Sequence, residues 1–218
     1  MDEKILIAKR VALELRPGNL VNLGIGLPTM VAAHLPAGVN VFFQSENGII
    51  GMAPVPEPGA ENEDLSDAGG SPIGAVPGAA SFDSAMSFGL IRGGHLDVTV
   101  LGGLQIDEEG RLANWMVPGK MVPGMGGAMD LVSGAKRVIV AMQHSAKGTP
   151  KIVKRCELPL TSVRRVDLIV TELAVIEPTD KGLVLREVAP GVAVADVLAQ
   201  TGAELIVPSV VPTMPVGA

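Results

Sequence analysis

Tyrosine is absent from this chain, tryptophan occurs once and phenylalanine four times, so aromatics make up only 2% of its 218 residues. Single-strand nucleic-acid binders stack bases on aromatic side chains, and that platform is missing. Basic charge is scarce as well. Seventeen Lys and Arg face 23 Asp and Glu, giving a net charge of −6 and a pI near 5.1, which repels phosphate backbones. Cys156 is the single cysteine, which excludes an internal disulfide framework and a cysteine zinc site. It reads as a small buried hydrophobe. The three histidines, His34, His95 and His144, lack ligand spacing, so metal chemistry is not expected. No apolar run approaches the roughly 18 residues of a membrane span, although mean hydropathy is +0.40. Met1-Asp2-Glu3-Lys4 lacks the basic-then-apolar order of a signal peptide. The expected class is a soluble, cytoplasmic, globular protein with no nucleic-acid or membrane partner. Its high hydropathy points to apolar surface hidden against another subunit.

With so few aromatics the core must be aliphatic, with ten Met filling gaps. Ile5, Ala8, Ala12 and Leu15 recur at helical spacing behind Asp2, a candidate N-cap, until Pro17-Gly18 stops the run. Leu20–Leu23 reads as a strand ending in Gly24-Ile25-Gly26, and Pro28 opens a helix through Leu35. Val39–Gln44 is a second strand running into a turn at Asn47-Gly48. This strand–helix–strand rhythm predicts an α/β fold with an open, mostly parallel sheet flanked by helices. Residues 51–72 carry Pro, Gly and acids without periodicity, as a lid or partner contact would. Ser81 is placed as N-cap of a helix through Leu90. Further strands are expected at 96–101, 112–116, 137–142, 167–171, 173–176, 183–188 and 205–207. Short helices are placed at 128–132 and 194–200. Residues 1–207 read as one domain and 208–218 as a mobile tail.

Gly24-Ile25-Gly26 lacks the third glycine and the later acid of a dinucleotide fingerprint, and no Walker-type Gly-Lys-Ser/Thr occurs. Glu46 is placed differently, at the carboxyl end of a strand, where open α/β sheets carry their active sites. Taken alone such a Glu is an ordinary solvated turn residue; Phe42, Phe43, Ile49 and Ile50 around it promise a drier setting. A carboxylate nucleophile suits acyl transfer between thioesters and acids. The oxyanions formed need donors, which backbone N–H groups of a loop such as Gly124-Met125-Gly126-Gly127 supply. The same loop also reads as a plain tight connection.

The segment Gln44-Ser-Glu-Asn-Gly-Ile-Ile-Gly-Met52 resembles the β subunits of class I 3-oxoacid CoA-transferases, most closely the acetate/butyrate–acetoacetate type. Val21–Thr29, Ile91–His95, Leu112–Trp115 and above all Val117–Asp130 carry the resemblance through about residue 207. It implies a domain shared with sugar-phosphate isomerase-like proteins and a homologous α subunit, in an α2β2 complex. Glu46 is implied as nucleophile and Gly127 as oxyanion donor, with a Gln of the α subunit completing the hole. Asn47, Gly48 and Gly126 follow as CoA neighbours by proximity. No cofactor is implied, coenzyme A being a substrate alongside short carboxylic acids. Succinyl-CoA or 3-oxoadipate are alternative substrates within the class; an isomerase-like protein or a non-catalytic binding module would leave Glu46 without a role. Ala53-Pro54 departs from the Gly-Pro common in relatives, which bears on the following segment and not on the nucleophile.

Overall fold

The computed structural model describes residues 2–119 and 124–216. The chain begins with α1 (Glu3–Ala12), β1 (Leu20–Leu23) and a 3-10 helix (Leu27–His34). Next come β2 (Phe42–Ser45), β3 (Ile49–Ala53), β4 (Gly74–Ser81), α2 (Ser84–Arg92), β5 (Val98–Leu101), β6 (Gln105–Asp107) and β7 (Leu112–Ala113). Then follow α3 (Ala128–Gly134), β8 (Arg137–Ala141), β9 (Ser145–Ala146), β10 (Thr149–Pro150), β11 (Ile152–Val153) and β12 (Leu168–Val170). The series ends with β13 (Ala174–Thr179), β14 (Gly182–Val188), α4 (Val194–Gln200) and β15 (Leu205–Ile206).

Among the described residues, ten strands form one sheet in the order β15-β14-β13-β12-β8-β5-β1-β2-β3-β4. Its centre, β12-β8-β5-β1-β2, is parallel. Antiparallel pairings flank that centre at β2-β3-β4 and β12-β13-β14. The predicted parallel architecture therefore holds where the sheet is covered on both faces, as parallel sheets require. Strand β8 shows the logic: Val138 and Val140 enter one core, Ile139 and Ala141 the other. Ile7 and Val11 of α1, with Val31 of the 3-10 helix, cover one face. Ile91 of α2, Leu131 of α3 and Val197 of α4 cover the opposite one.

Several expectations are corrected. Asp2 does cap α1, accepting from Lys4 N and Ile5 N. The cap of α2, however, is Asp83, which accepts from Met86 N, while Ser81 closes β4. The helix expected after Pro28 winds as a 3-10 helix. Residues 51–72 are not wholly without regular structure, because β3 runs through Ala53; the rest is tied to the sheet by Ala68 N donating to Ser45 Oγ and Asn47 Nδ2 donating to Ser66 O. The tail expected to be mobile is docked. Pro212 O accepts from Val188 N, Met214 N donates to Val188 O, and Met214 is 2% exposed in the α1-side core. A sequence without amphipathic period can still be held when its backbone continues a sheet edge.

Candidate active site

The site lies at the carboxyl ends of β1 and β2 and is built around Glu46. Gly48 shapes the turn after β2: its N–H donates to Ser45 O at 3.0 Å, and its φ is +128°. Its carbonyl accepts from Phe82 N at 2.9 Å, and a Cβ at Gly48 would meet Phe82 O at 1.9 Å. Only glycine permits that approach. The turn lifts Glu46 to the sheet's edge, half-buried, with β3 returning antiparallel beside β2.

Beneath the carboxylate runs a row of buried polar side chains. Parallel registers place Asn22 beside Gln44 on one side and Thr99 on the other. Gln44 Nε2 donates to Ser87 Oγ at 3.0 Å, and Asn22 Nδ2 donates to Gln44 Oε1 at 2.9 Å. Asn22 Nδ2 also donates to Glu46 Oε2 at 3.0 Å. Asn22 Oδ1 and Thr99 Oγ1 are buried without a hydrogen-bond partner among the described residues. Leaving a buried polar group unpaired costs roughly 1–3 kcal/mol, and such costs concentrate at functional sites.

Gly127, at the start of α3, closes the other side. A Cβ built there would lie 3.1 Å from Glu46 Cγ and 3.3 Å from Oε1, with Phe88 next at 3.4 Å. Its φ of −80° and ψ of −1° suit any L-residue. The small side chain is thus demanded by the carboxylate and not by the backbone. Gly126 precedes it, exposed, at φ +56°.

The structure therefore brings Glu46 and Gly127 together, with Gly126 next to Gly127 and Gly48 two residues after Glu46. Asn47 is exposed, and its amide is engaged with Ser66 O. Part of the motif Val117–Asp130, residues 120–123, lies outside the described residues. Asn22, Gln44, Ser87 and Thr99 escaped sequence reasoning. Their signal was there: Asn22 and Thr99 are polar residues set between apolar neighbours in strands otherwise wholly apolar. Other candidates are inert. Burial pushes the Cys156 thiol up to about 12, which leaves no thiolate near neutral pH. His144 is fully buried between Thr171 Oγ1 and Thr201 Oγ1, each 2.9 Å from a ring nitrogen.

An open sheet bearing a carboxylate at a strand end, in a tight Gly-gated turn, matches a known family. Residues 4–200 match the family described as Coenzyme A transferase. The chain belongs to the coenzyme A transferases and is an enzyme of that kind. Among curated relatives, it is 60% identical over 204 residues to the beta chain of the acetate CoA-transferase of Escherichia coli (strain K12), covering 93% of each chain. It is 50% identical over 202 residues to the corresponding chain of a probable succinyl-CoA:3-ketoacid coenzyme A transferase of Bacillus subtilis (strain 168), covering 92% of this chain and 94% of the relative. The fold is shared with the acyl-CoA transferase apoenzyme of Escherichia coli O157:H7 at a TM-score of 0.77 and 23% identity. That alignment covers 98% of this chain and 43% of the solved one, so this chain spans less than half its length.

Proposed function

We propose that this chain is the nucleophile-bearing β subunit of a class I 3-oxoacid CoA-transferase, moving CoA between an acyl-CoA and acetoacetate or another short acid, with acetate and butyrate the favoured acids. The observation that carries this reading is the carboxylate of Glu46, tied through Oε2 to Asn22 while Oε1 faces Gly127, in a chain of the CoA-transferase family.

The chemistry is a ping-pong exchange. Glu46 attacks the acyl-CoA carbonyl, forming an acyl–glutamyl anhydride and releasing CoA thiolate. The thiolate attacks the glutamyl carbonyl, giving a glutamyl-CoA thioester and the free carboxylate of the donor acid. The acceptor carboxylate attacks that thioester, re-forming an anhydride and thiolate. The thiolate then takes the acyl group, and Glu46 is restored. Each step develops an oxyanion beside the carboxylate, where the Gly127 amide is the donor from this chain. Asn47, Gly48 and Gly126 border the path of CoA.

A homologous α subunit covers the site, in a cytoplasmic α2β2 complex. Exposed apolar side chains on the elements around the site support a covered surface: Ile25 is 73% and Met86 59% exposed. A glutamyl thioester in an open crevice would hydrolyse, and a second domain excludes water. Succinyl-CoA and 3-oxoadipate remain the competing substrates within the class.

Incubating the α–β complex with acyl-CoA and no acceptor acid tests the mechanism. The mass of CoA should appear on the peptide containing Glu46, and borohydride should reduce that thioester and abolish activity. Label on Cys156 or His144 with none on Glu46 would overturn it.

A further inference from the structure

Thr99 sits in β5, at the centre of the sheet, and has no part in the chemistry so far. Register sets it beside Asn22 of β1 on one side and Val138 of β8 on the other. Side chains in register on neighbouring parallel strands point to one face, here the face where Gln44 meets Ser87 of α2. The Val138 side chain has no polar atom, so Asn22 is the polar neighbour of Thr99 along this row. Both are enclosed, Thr99 at 0% and Asn22 at 1% exposure. Among the described residues, the buried side-chain polar atoms that lack a hydrogen bond are Asn22 Oδ1 and Thr99 Oγ1. The two orphans are therefore neighbours, and both lie in the row beneath Glu46.

They are also complementary. Asn22 Nδ2 gives its hydrogens to Gln44 Oε1 and Glu46 Oε2, which leaves the amide oxygen as an acceptor in need of a donor. A threonine hydroxyl carries one. Valine, found on either side at positions 98 and 100, has the same shape and would leave no hydroxyl to satisfy. We infer that Thr99 is a positioning residue whose hydroxyl, through one buried water, supplies the donor to Asn22 Oδ1 and thereby holds the Asn22 amide on Glu46. The inference rests on the CoA-transferase reading and deepens it, since a fixed carboxylate matters to catalysis only if Glu46 is the nucleophile. Neighbouring strands lie about 4.8 Å apart. Two hydrogen bonds of about 2.8 Å that meet at a water span about 4.5 Å, which suits two atoms on adjacent strands that make no direct bond. Buried waters commonly satisfy such atoms. The effect on Glu46 is both electrostatic and geometric. A donor at Oδ1 polarises the amide and strengthens the bond from Nδ2 to Glu46 Oε2. It also fixes the amide plane, so Glu46 Oε1 stays turned toward Gly127.

Steady-state kinetics of the α–β complex with acetoacetyl-CoA and acetate test this role. Thr99→Val keeps the shape and removes the hydroxyl. It should lower kcat about two- to tenfold, the worth of one neutral hydrogen bond, and leave KM nearly unchanged. Thr99→Ser restores the hydroxyl and should recover most of that loss. Coupling to Asn22 separates positioning from a merely structural role: in an Asn22→Ala background, Thr99→Val should cost no further kcat. An unchanged kcat in folded Thr99→Val, no recovery in Thr99→Ser, or additive losses in the double variant each overturns the inference while leaving CoA transfer intact. A crystal structure of the unmodified complex decides the matter even if the variants do not fold. An ordered water within hydrogen-bond reach of both Thr99 Oγ1 and Asn22 Oδ1 is expected there, and clear density without one overturns the inference. Absence of CoA transfer to any acid by the unmodified complex would instead overturn the functional reading itself.

Discussion

Asn22 and Glu46 stand 24 residues apart in sequence, yet Asn22 Nδ2 donates to Glu46 Oε2 at 3.0 Å. The parallel pairing of β1 with β2 creates this contact, since it sets Asn22 opposite Gln44, two residues before the carboxylate. One oxygen is thereby fixed and the other left facing Gly127. A nucleophile held in one orientation gains the advantage of a prepaid approach. Asn22→Ala should lower kcat roughly ten- to a hundredfold, the range expected for losing a hydrogen bond to a charged group. KM should move little. Asn22→Asp keeps the volume, removes the donor and adds a like charge beside Glu46, so its loss should be larger. Steady-state kinetics on the folded variants decide the point; a variant with normal kcat and raised KM would give Asn22 a binding role instead.

At Gly127 the backbone tolerates a side chain and the carboxylate does not. Gly127→Ala should displace Glu46 by a few tenths of an ångström and cost about tenfold in kcat. Gly127→Val, with two further carbons, should cost a hundredfold or more, the scale of losing an oxyanion donor. Thermal melts run beside the kinetics separate displacement from unfolding. Full activity in Gly127→Val would take this residue out of the site.

Expressed without its α-type partner, the chain should self-associate and show no transferase activity. Co-expression should give a complex with equal numbers of both subunits, two of each. Permanent interfaces of this kind commonly bury over about 2,000 Å², and the apolar side chains around the site are available to one. Chromatography with light scattering and a transferase assay measure both outcomes. Full-rate turnover by the isolated chain would refute the requirement.

His144 makes stability fall in acid. Burial lowers its pKa from 6.5 to about 4. Below pH 6.5 the unfolded chain binds a proton that the folded chain refuses until about pH 4, so stability is lost across that window as pH falls. The loss from this group is about 1 kcal/mol by pH 5.5 and on the order of 3 kcal/mol by pH 4. Glu172, which accepts from His144 N, and Lys151, whose N–H donates to His144 O, titrate nearby. Comparison with His144→Asn isolates the imidazole: urea unfolding between pH 7.5 and 4.5 should show a shallower decline in the variant. Parallel declines would assign the pH dependence to other groups.

The sequence by itself determined strands β1, β2, β5, β7, β8 and β12 to β15, the helices α1 to α4, and the turn that carries Glu46, but not β3, β4, β6 or β9 to β11. Those features follow from local physics: apolar runs bounded by Gly and Pro, and an Asn-Gly turn. It also determined the family, because Gln44–Met52 is contiguous and needs no folding to be read. The cap of α2 went to Asp83 and not Ser81, because pairing with β3 drew Ser81 into β4. The tail from Pro208 docked because Val188 offered an unfilled edge, which nothing within the tail announces. Only the tertiary structure decided which polar residues lie against Glu46. Asn22, Gln44 and Ser87 lie on β1, β2 and α2, and a hydrogen bond of 3 Å between them depends on strand register and helix packing. Likewise the contact of Gly127 with Glu46 joins residues 81 apart. Local preference sets each element's type; distances between elements come from how their apolar faces close on one another.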